Sequence, residues 1–246
     1  MSYAYFDRIH EILREVEDTE THQIQAAVNH LAEGCIHGKS LYVFGASHAG
    51  ILSEELFYRA GGLMLVNPIF APELMLNNSP VTQTTQMEQL EGYGTILARK
   101  VCFQTGDSLI VHSVSGRNPV SIDLVLEAKK SGVHVICLTN LTYSRSVSSR
   151  HSSGKKLYEL ADIVIDNHGD IGDAAILMPK LQQKVAPTST VVGAAILNTI
   201  VSEVALKLIA SGISKPPVFY SANLDGGSDL NSELSQYYQH QIHYKM

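Results

Sequence analysis

A chain of 246 residues with 45% hydrophobic and 17% charged residues is long enough for one large α/β domain, and it carries fewer charges than the ~25% of an average globular protein, which excludes a disordered chain. Its formal net charge of −6 leaves no basic footprint for a nucleic-acid duplex. Cys35, Cys102 and Cys137 form no CxxC pair and no cluster with histidine, so neither a disulfide framework nor a zinc site is expected, and a reducing, cytoplasmic location is. The N-terminal residues lack a signal-type apolar stretch, and the apolar segment 191–201, interrupted by Asn198 and Thr199, is shorter than the roughly 20 residues of a membrane span.

In chain order, Phe6, Ile9, Leu13, Val16, Ile24, Ala27, Val28 and Leu31 recur at three- and four-residue steps and predict helix over 3–37, with the polar patch 18–21 a point of breakage. Residues 41–44 read as a strand, 45–50 as a tight loop and the stretch to Ala60 as an amphipathic helix; 63–66 suits an extra strand. The unit recurs with strand 109–112, loop 113–119 and helix 120–130, whose early Pro119 fits a first helical turn. Strands at 133–138 and 163–165 and a long helix over 190–209 follow, then a tail extended from Ser214 and briefly helical later. Strands alternating with helices predict a three-layer α/β sandwich around a mostly parallel, doubly wound sheet. A single domain is expected, with an N-terminal helical segment 1–38, a core 39–212 and a tail 213–246.

Ligands of open α/β sheets bind beyond the carboxyl ends of the strands, so the loops after Phe44 and His112 carry the functional reading. Gly45 to Gly50 lacks both the G-x-G-x-x-G spacing and an acid about 20 residues on, which disfavours NAD. Ile51 and Leu52 stand where a P-loop needs Lys and Ser/Thr, which disfavours nucleotide hydrolysis. Gly45-Ala46-Ser47-His48-Ala49 approaches a nucleophile elbow, and Asp166 or Asp173 with the late His240 or His243 could complete a hydrolase set, yet that chemistry has no use for a second serine loop. A phosphate cradle uses both. Ser47 together with Ser113, Ser115 and Asn118 supplies several neutral donors near helix starts; each serine alone could equally be a helix cap.

Ser113-Val114-Ser115-Gly116-Arg117-Asn118 resembles the S-x-S-G-x-[ST] phosphate loop of the sugar isomerase (SIS) domain family, and Gly45-Ala46-Ser47 resembles the glycine-serine loop after that family's first strand. The likeness covers about residues 40–210 and is nearest to the phosphoheptose isomerase-like branch and to an uncharacterised SIS-domain group with the same Arg-Ala-Gly-Gly and Pro-Thr-Ser-Thr stretches. It implies a flavodoxin-like SIS fold, a sugar-phosphate ligand, no cofactor and no metal, and a homodimer or tetramer with shared sites.

It further implies that Glu55, in the acid-acid-Leu context Glu54-Glu55-Leu56, is the general base of an aldose–ketose isomerase, that Gly116 belongs to the phosphate loop, and that Thr188 and Ser189 reach back toward the sugar. His48 would stabilise the enediolate or open the ring, or simply start a helix. Arg59, one turn beyond Glu55, would orient that carboxylate, bind substrate from a neighbouring subunit, or form a plain intrahelical pair. Two departures stand out: Asn118 replaces a hydroxyl residue, and the final helix carries no histidine. Elimination from an amino-sugar phosphate and non-catalytic phosphosugar sensing are the alternatives. Neither a nucleic acid nor a membrane is expected as partner.

Overall fold

The apolar runs become strands β1 (Leu41–Gly45), β2 (Val66–Pro68), β3 (Ser108–His112), β4 (His134–Thr139) and β5 (Ile163–Asp166), in a computed structural model that describes residues 3–245. All pair in parallel, in the order β2-β1-β3-β4-β5, with Leu41 opposite Ser108 and Gly45 opposite His112. Around them lie α1 (Ala4–Thr19), α2 (Thr21–Ile36), α3 (Ile51–Leu56), α4 (Thr82–Glu88), α5 (Tyr93–Val101), α6 (Pro119–Lys130), α7 (Leu141–Ser146), α8 (Ser189–Ala210) and α9 (Gly227–Tyr237). An antiparallel pair, β6 (Ala174–Ile176) with β7 (Val185–Pro187), stands apart.

Side chains alternate across a strand, and the two sheet faces bury different residues. Leu41, Val43, Ile110, Ile136 and Leu138 join Ile12, Val28, Leu52, Ile196 and Ile200 in one core under α1, α2, α3 and α8. Tyr42, Phe44, Leu109, Val111, Val135 and Cys137 join Leu97, Val120 and Leu124 in the other, under α5 and α6. Each fully buried branched or aromatic side chain contributes about 1.5–3 kcal/mol, so the sheet is a three-layer sandwich fixed from both sides. Although α8 is long and apolar enough to cross a bilayer by composition, its Val192, Ile196, Ile200, Val204 and Leu208 are core residues. The segment 191–201 is therefore part of a longer helix than its own length suggests.

The polar patch does divide the N-terminal helix, at Glu20. Elsewhere the chain departs from the expected pattern. The helix expected to reach Ala60 stops at Leu56, and Phe57 turns extended. Aromatic packing accounts for this: the Phe57 ring meets Phe70 and Tyr244 edge-on, and the Tyr58 ring meets Phe219. The extra strand lies at Val66–Pro68 rather than 63–66. Leu63 instead bridges to Val218, and Met64 N donates to the Pro217 carbonyl, so the tail claims that segment. Met64, Leu65, Phe219, Leu234 and Tyr238 form a third, small core. The direction of strand succession reverses between β1 and β3, and their carboxyl ends flank the crevice where open α/β sheets bind ligands.

Candidate anion-binding site

At the end of β1, a Cβ on Gly45 would lie 2.3 Å from the Ala49 carbonyl oxygen, so glycine is required for the chain to double straight into the 3-10 turn Ser47–Gly50. Ser47 is left-handed, with φ +51, a conformation that costs a residue with a Cβ about 1–2 kcal/mol and persists where the surroundings enforce it. One such restraint comes from β3: His112 Nδ1 donates to the Ala49 carbonyl at 3.1 Å. Burial pushes the His112 pKa down, the Ala49 contact and Asp173 opposing it, and leaves the ring neutral with its Nε2 unpartnered.

The loop after β3 is held from β4 and from within. Ser113 N donates to the Leu138 carbonyl, and Thr139 Oγ1 donates to the carbonyls of Ser113 at 2.7 Å and Val114 at 3.1 Å. Gly116 N donates to Ser113 Oγ at 3.2 Å. Gly116 has φ +60, and a Cβ there would approach Ser144 Oγ to 3.2 Å, so glycine supplies the turn that brings Asn118 to the start of α6.

Ser47, His48, Ser113, Ser115 and Asn118 line one open cleft of about 200 Å3, together with Glu88, Ser121, Tyr143 and Asp173. Gly116, expected to touch the ligand, does not line the cleft. The donors from the two strand ends meet on a single anion: Ser47 Oγ donates to Glu88 Oε1, and Asn118 Nδ2 donates to Glu88 Oε2 at 2.6 Å. Glu88 closes α4, in a stretch of sequence without strand or helix period, and nothing local marks it out; packing of α4 against α6 and the Ser47–Gly50 turn brings it over the cleft. Arg150 Nη1 donates to Asn118 Oδ1 at 3.0 Å from the other side.

The remaining expected residues are placed differently. Thr188 and Ser189 are buried and do not line the cleft. Their backbone nitrogens donate to Asp173 Oδ1 at 3.1 and 2.8 Å, and Ser189 Oγ donates to Asp173 Oδ2 at 2.7 Å. A carboxylate at the start of α8 satisfies orphan N–H groups and the helix dipole, so it is Asp173 that faces the cleft. Glu55 and Arg59 also lie off the cleft of their own chain. Arg59 lies beyond the end of α3, so its pair with Glu55 is not the intrahelical one expected: Glu55 accepts from Arg59 across the helix end and from Asn198 Nδ2 of α8 at 3.0 Å, and its side chain is 29% exposed.

The sheet order, the glycine-serine turn and the serine loop together define a SIS-domain protein, and the profile of the SIS domain family matches residues 4–140, over half of the chain. The chain belongs to that family. It is 52% identical over 246 residues to a UPF0309 protein of Shouchella clausii, covering 99% of this chain and 100% of that one. It is also 51% identical over 240 residues to a UPF0309 protein of Oceanobacillus iheyensis, covering 98% and 97%. Among solved structures it is similar to a phosphoheptose isomerase from Francisella tularensis, with a TM-score of 0.55, 16% identity and coverage of 82% of this chain and 94% of that one. A phosphoheptose isomerase from Neisseria gonorrhoeae gives a TM-score of 0.51, 17% identity and coverage of 85% and 96%. At these identities the shared feature is the fold.

Proposed function

We propose that the protein is a cytoplasmic sugar-phosphate isomerase of aldose–ketose type that needs no cofactor. The observation that carries this reading is that Ser47 and Asn118, from two different strand-end loops, donate to one carboxylate. Donors arranged to satisfy a carboxylate satisfy a phosphoryl oxygen equally well, and Ser113 and Ser115 in the same cleft extend the set.

The reaction begins with removal of the proton from the carbon beside the aldose carbonyl, for which one carboxylate suffices. Glu55 takes that proton, electron density moves onto the carbonyl oxygen as an enediolate, and the proton returns to C1 while the O2 hydroxyl proton passes to O1, leaving O2 as the ketone and O1 as a hydroxyl. His48 stabilises the enediolate or opens the ring. Since Glu55 and Arg59 lie off their own chain's cleft, they act at the cleft of a second copy, in a homodimer or tetramer with shared sites. The low share of charged residues and the exposure of Val191, Leu206 and Ile209 on α8 support a covered face.

The second reading is a phosphosugar sensor, favoured by the same placement of Glu55: a cleft with phosphate donors and a distant base binds without turning over. Incubating hexose, heptose and hexosamine phosphates in deuterated water decides between them. Label at C2, lost in Glu55→Gln while binding persists, supports the isomerase. Binding with no label in any sugar refutes it in favour of the sensor. Release of a leaving group points to elimination instead.

A further inference from the structure

The segment 147–156 is fastened to the serine loop at both ends. Arg150 N donates to the Arg117 carbonyl and Leu157 N to the Gly116 carbonyl, each at 3.0 Å. Between these ties, His151 Nε2 meets Asp123 Oδ1 of α6 at 3.1 Å, with both side chains under a tenth exposed, and Ser152 N donates to Glu91 Oε2 at 3.0 Å. The segment runs over the surface but is tied to the serine loop at both ends and anchored by one buried contact, His151 to Asp123, and this seating delivers one side chain to the cradle: Arg150 Nη1 lies 3.0 Å from Asn118 Oδ1. Arg150 makes no ion pair with any described residue, so this hydrogen bond is not the by-product of a salt bridge.

Asn118 stands where the S-x-S-G-x-[ST] pattern carries a hydroxyl. A hydroxyl rotates and donates to whatever acceptor arrives. A carboxamide has a donor end and an acceptor end, and facing an anion with the wrong end is repulsive. Here the choice is made by the neighbours: guanidinium has only donors and claims Oδ1, so Nδ2 faces the cleft, where it reaches Glu88 at 2.6 Å.

We infer that Arg150 is a positioning residue that fixes the Asn118 amide with its NH2 group toward the bound phosphate, so that Asn118 and Arg150 together replace a single hydroxyl. The inference rests on the phosphate reading of the cradle. It also assigns a purpose to the seated segment 147–156, which holds Arg150 beside the phosphate loop from outside it.

The test is a titration of inorganic phosphate, followed by phosphorus NMR, against the full chain and the variants Arg150→Met, Asn118→Ser and the two combined. Arg150→Met is expected to weaken phosphate binding about tenfold, the scale of one hydrogen bond to a charged group. Asn118→Ser restores a self-orienting hydroxyl and should stay within about threefold of wild type, and adding Arg150→Met to it should cost less than about twofold, since nothing is left to orient. An equal loss in both backgrounds would mean that Arg150 acts as a plain charge, and wild-type affinity in Arg150→Met would mean that it does nothing; either result overturns the inference. Failure of the wild type itself to bind phosphate removes the cradle reading instead.

Discussion

Glu88→Gln asks whether the carboxylate in the cleft and an incoming phosphate contend for the same donors. Glu88 accepts from Ser47 Oγ and from Asn118 Nδ2. A hydrogen bond to an ionised acceptor contributes about 1.5–3 kcal/mol and a neutral one about 1 kcal/mol, so an amide of the same shape holds each donor about 1 kcal/mol less tightly. Glu88 is only half-buried, and water screening reduces the sum of about 2 kcal/mol to about 1, a factor of roughly five to ten in affinity. The glutamine NH2 can also donate to the phosphate. Glu88→Gln should therefore bind inorganic phosphate about five to ten times more tightly than wild type, while the ligand-free protein melts slightly lower because two in-chain bonds are weaker. Isothermal titration calorimetry with inorganic phosphate, paired with ligand-free thermal melts, reads both. Weaker or unchanged phosphate binding would refute the reasoning, because the carboxylate would then assist the anion or the donors would not serve it.

Ser113→Ala combined with Ser115→Ala should weaken a phosphorylated ligand by about tenfold or more and leave its unphosphorylated parent nearly unchanged; competition binding with both forms checks this, and equal losses count against the cradle. Gly45→Ala places a Cβ 2.3 Å from the Ala49 carbonyl oxygen and should destabilise the fold by about 2 kcal/mol or more, read as a lower urea midpoint with an unaltered slope. Stability should also fall on acidification. Burial lowers the pKa of His30, with the stacked His134 adding to it against Glu33 and Asp162, and burial lowers that of His134, with Lys129 adding to it against Asp162. His112 is lowered in the same direction. A lowered histidine binds its proton more readily when unfolded, so it costs nothing above the unfolded pKa of about 6.5 and destabilises progressively below it. Thermal melts between pH 7.5 and 5.5 should show this loss, and His134→Phe, which keeps the stacked ring without a titrating group, should flatten it; an unchanged slope in that variant would be the contrary result.

Much of this architecture is legible because two periods dominate the sequence. The centres of strands β1, β3 and β4 are unbroken apolar runs, as strands covered on both faces must be, and glycine or small polar residues follow them to announce a loop. The serines of both loops are therefore found without a structure. What escapes is what depends on distant contact. Thr82–Glu88 has no apolar period, so α4 cannot be read and Glu88 with it. The early end of α3 follows from ring contacts to Phe70, Phe219 and Tyr244, residues 13 to 187 positions away from Phe57 or Tyr58 by the numbering. Thr188 and Ser189 are correctly placed at the start of α8, but the Asp173 that occupies them lies across a β-hairpin whose strands are three residues each, too short for any pattern.

The outer strand β2 has one more consequence. Its Asn67 is clasped by residues far downstream: Nδ2 donates to the Gln241 carbonyl at 2.8 Å, and His243 N donates to Oδ1 at 2.6 Å, across 174 and 176 positions. At a translation rate of about 5–20 residues per second, the ribosome makes β2 roughly 10 to 35 s before its clasp exists. Throughout that interval the sheet margin is bare on the nascent chain, and this margin is where a chaperone would engage or a neighbouring polypeptide would wrongly pair.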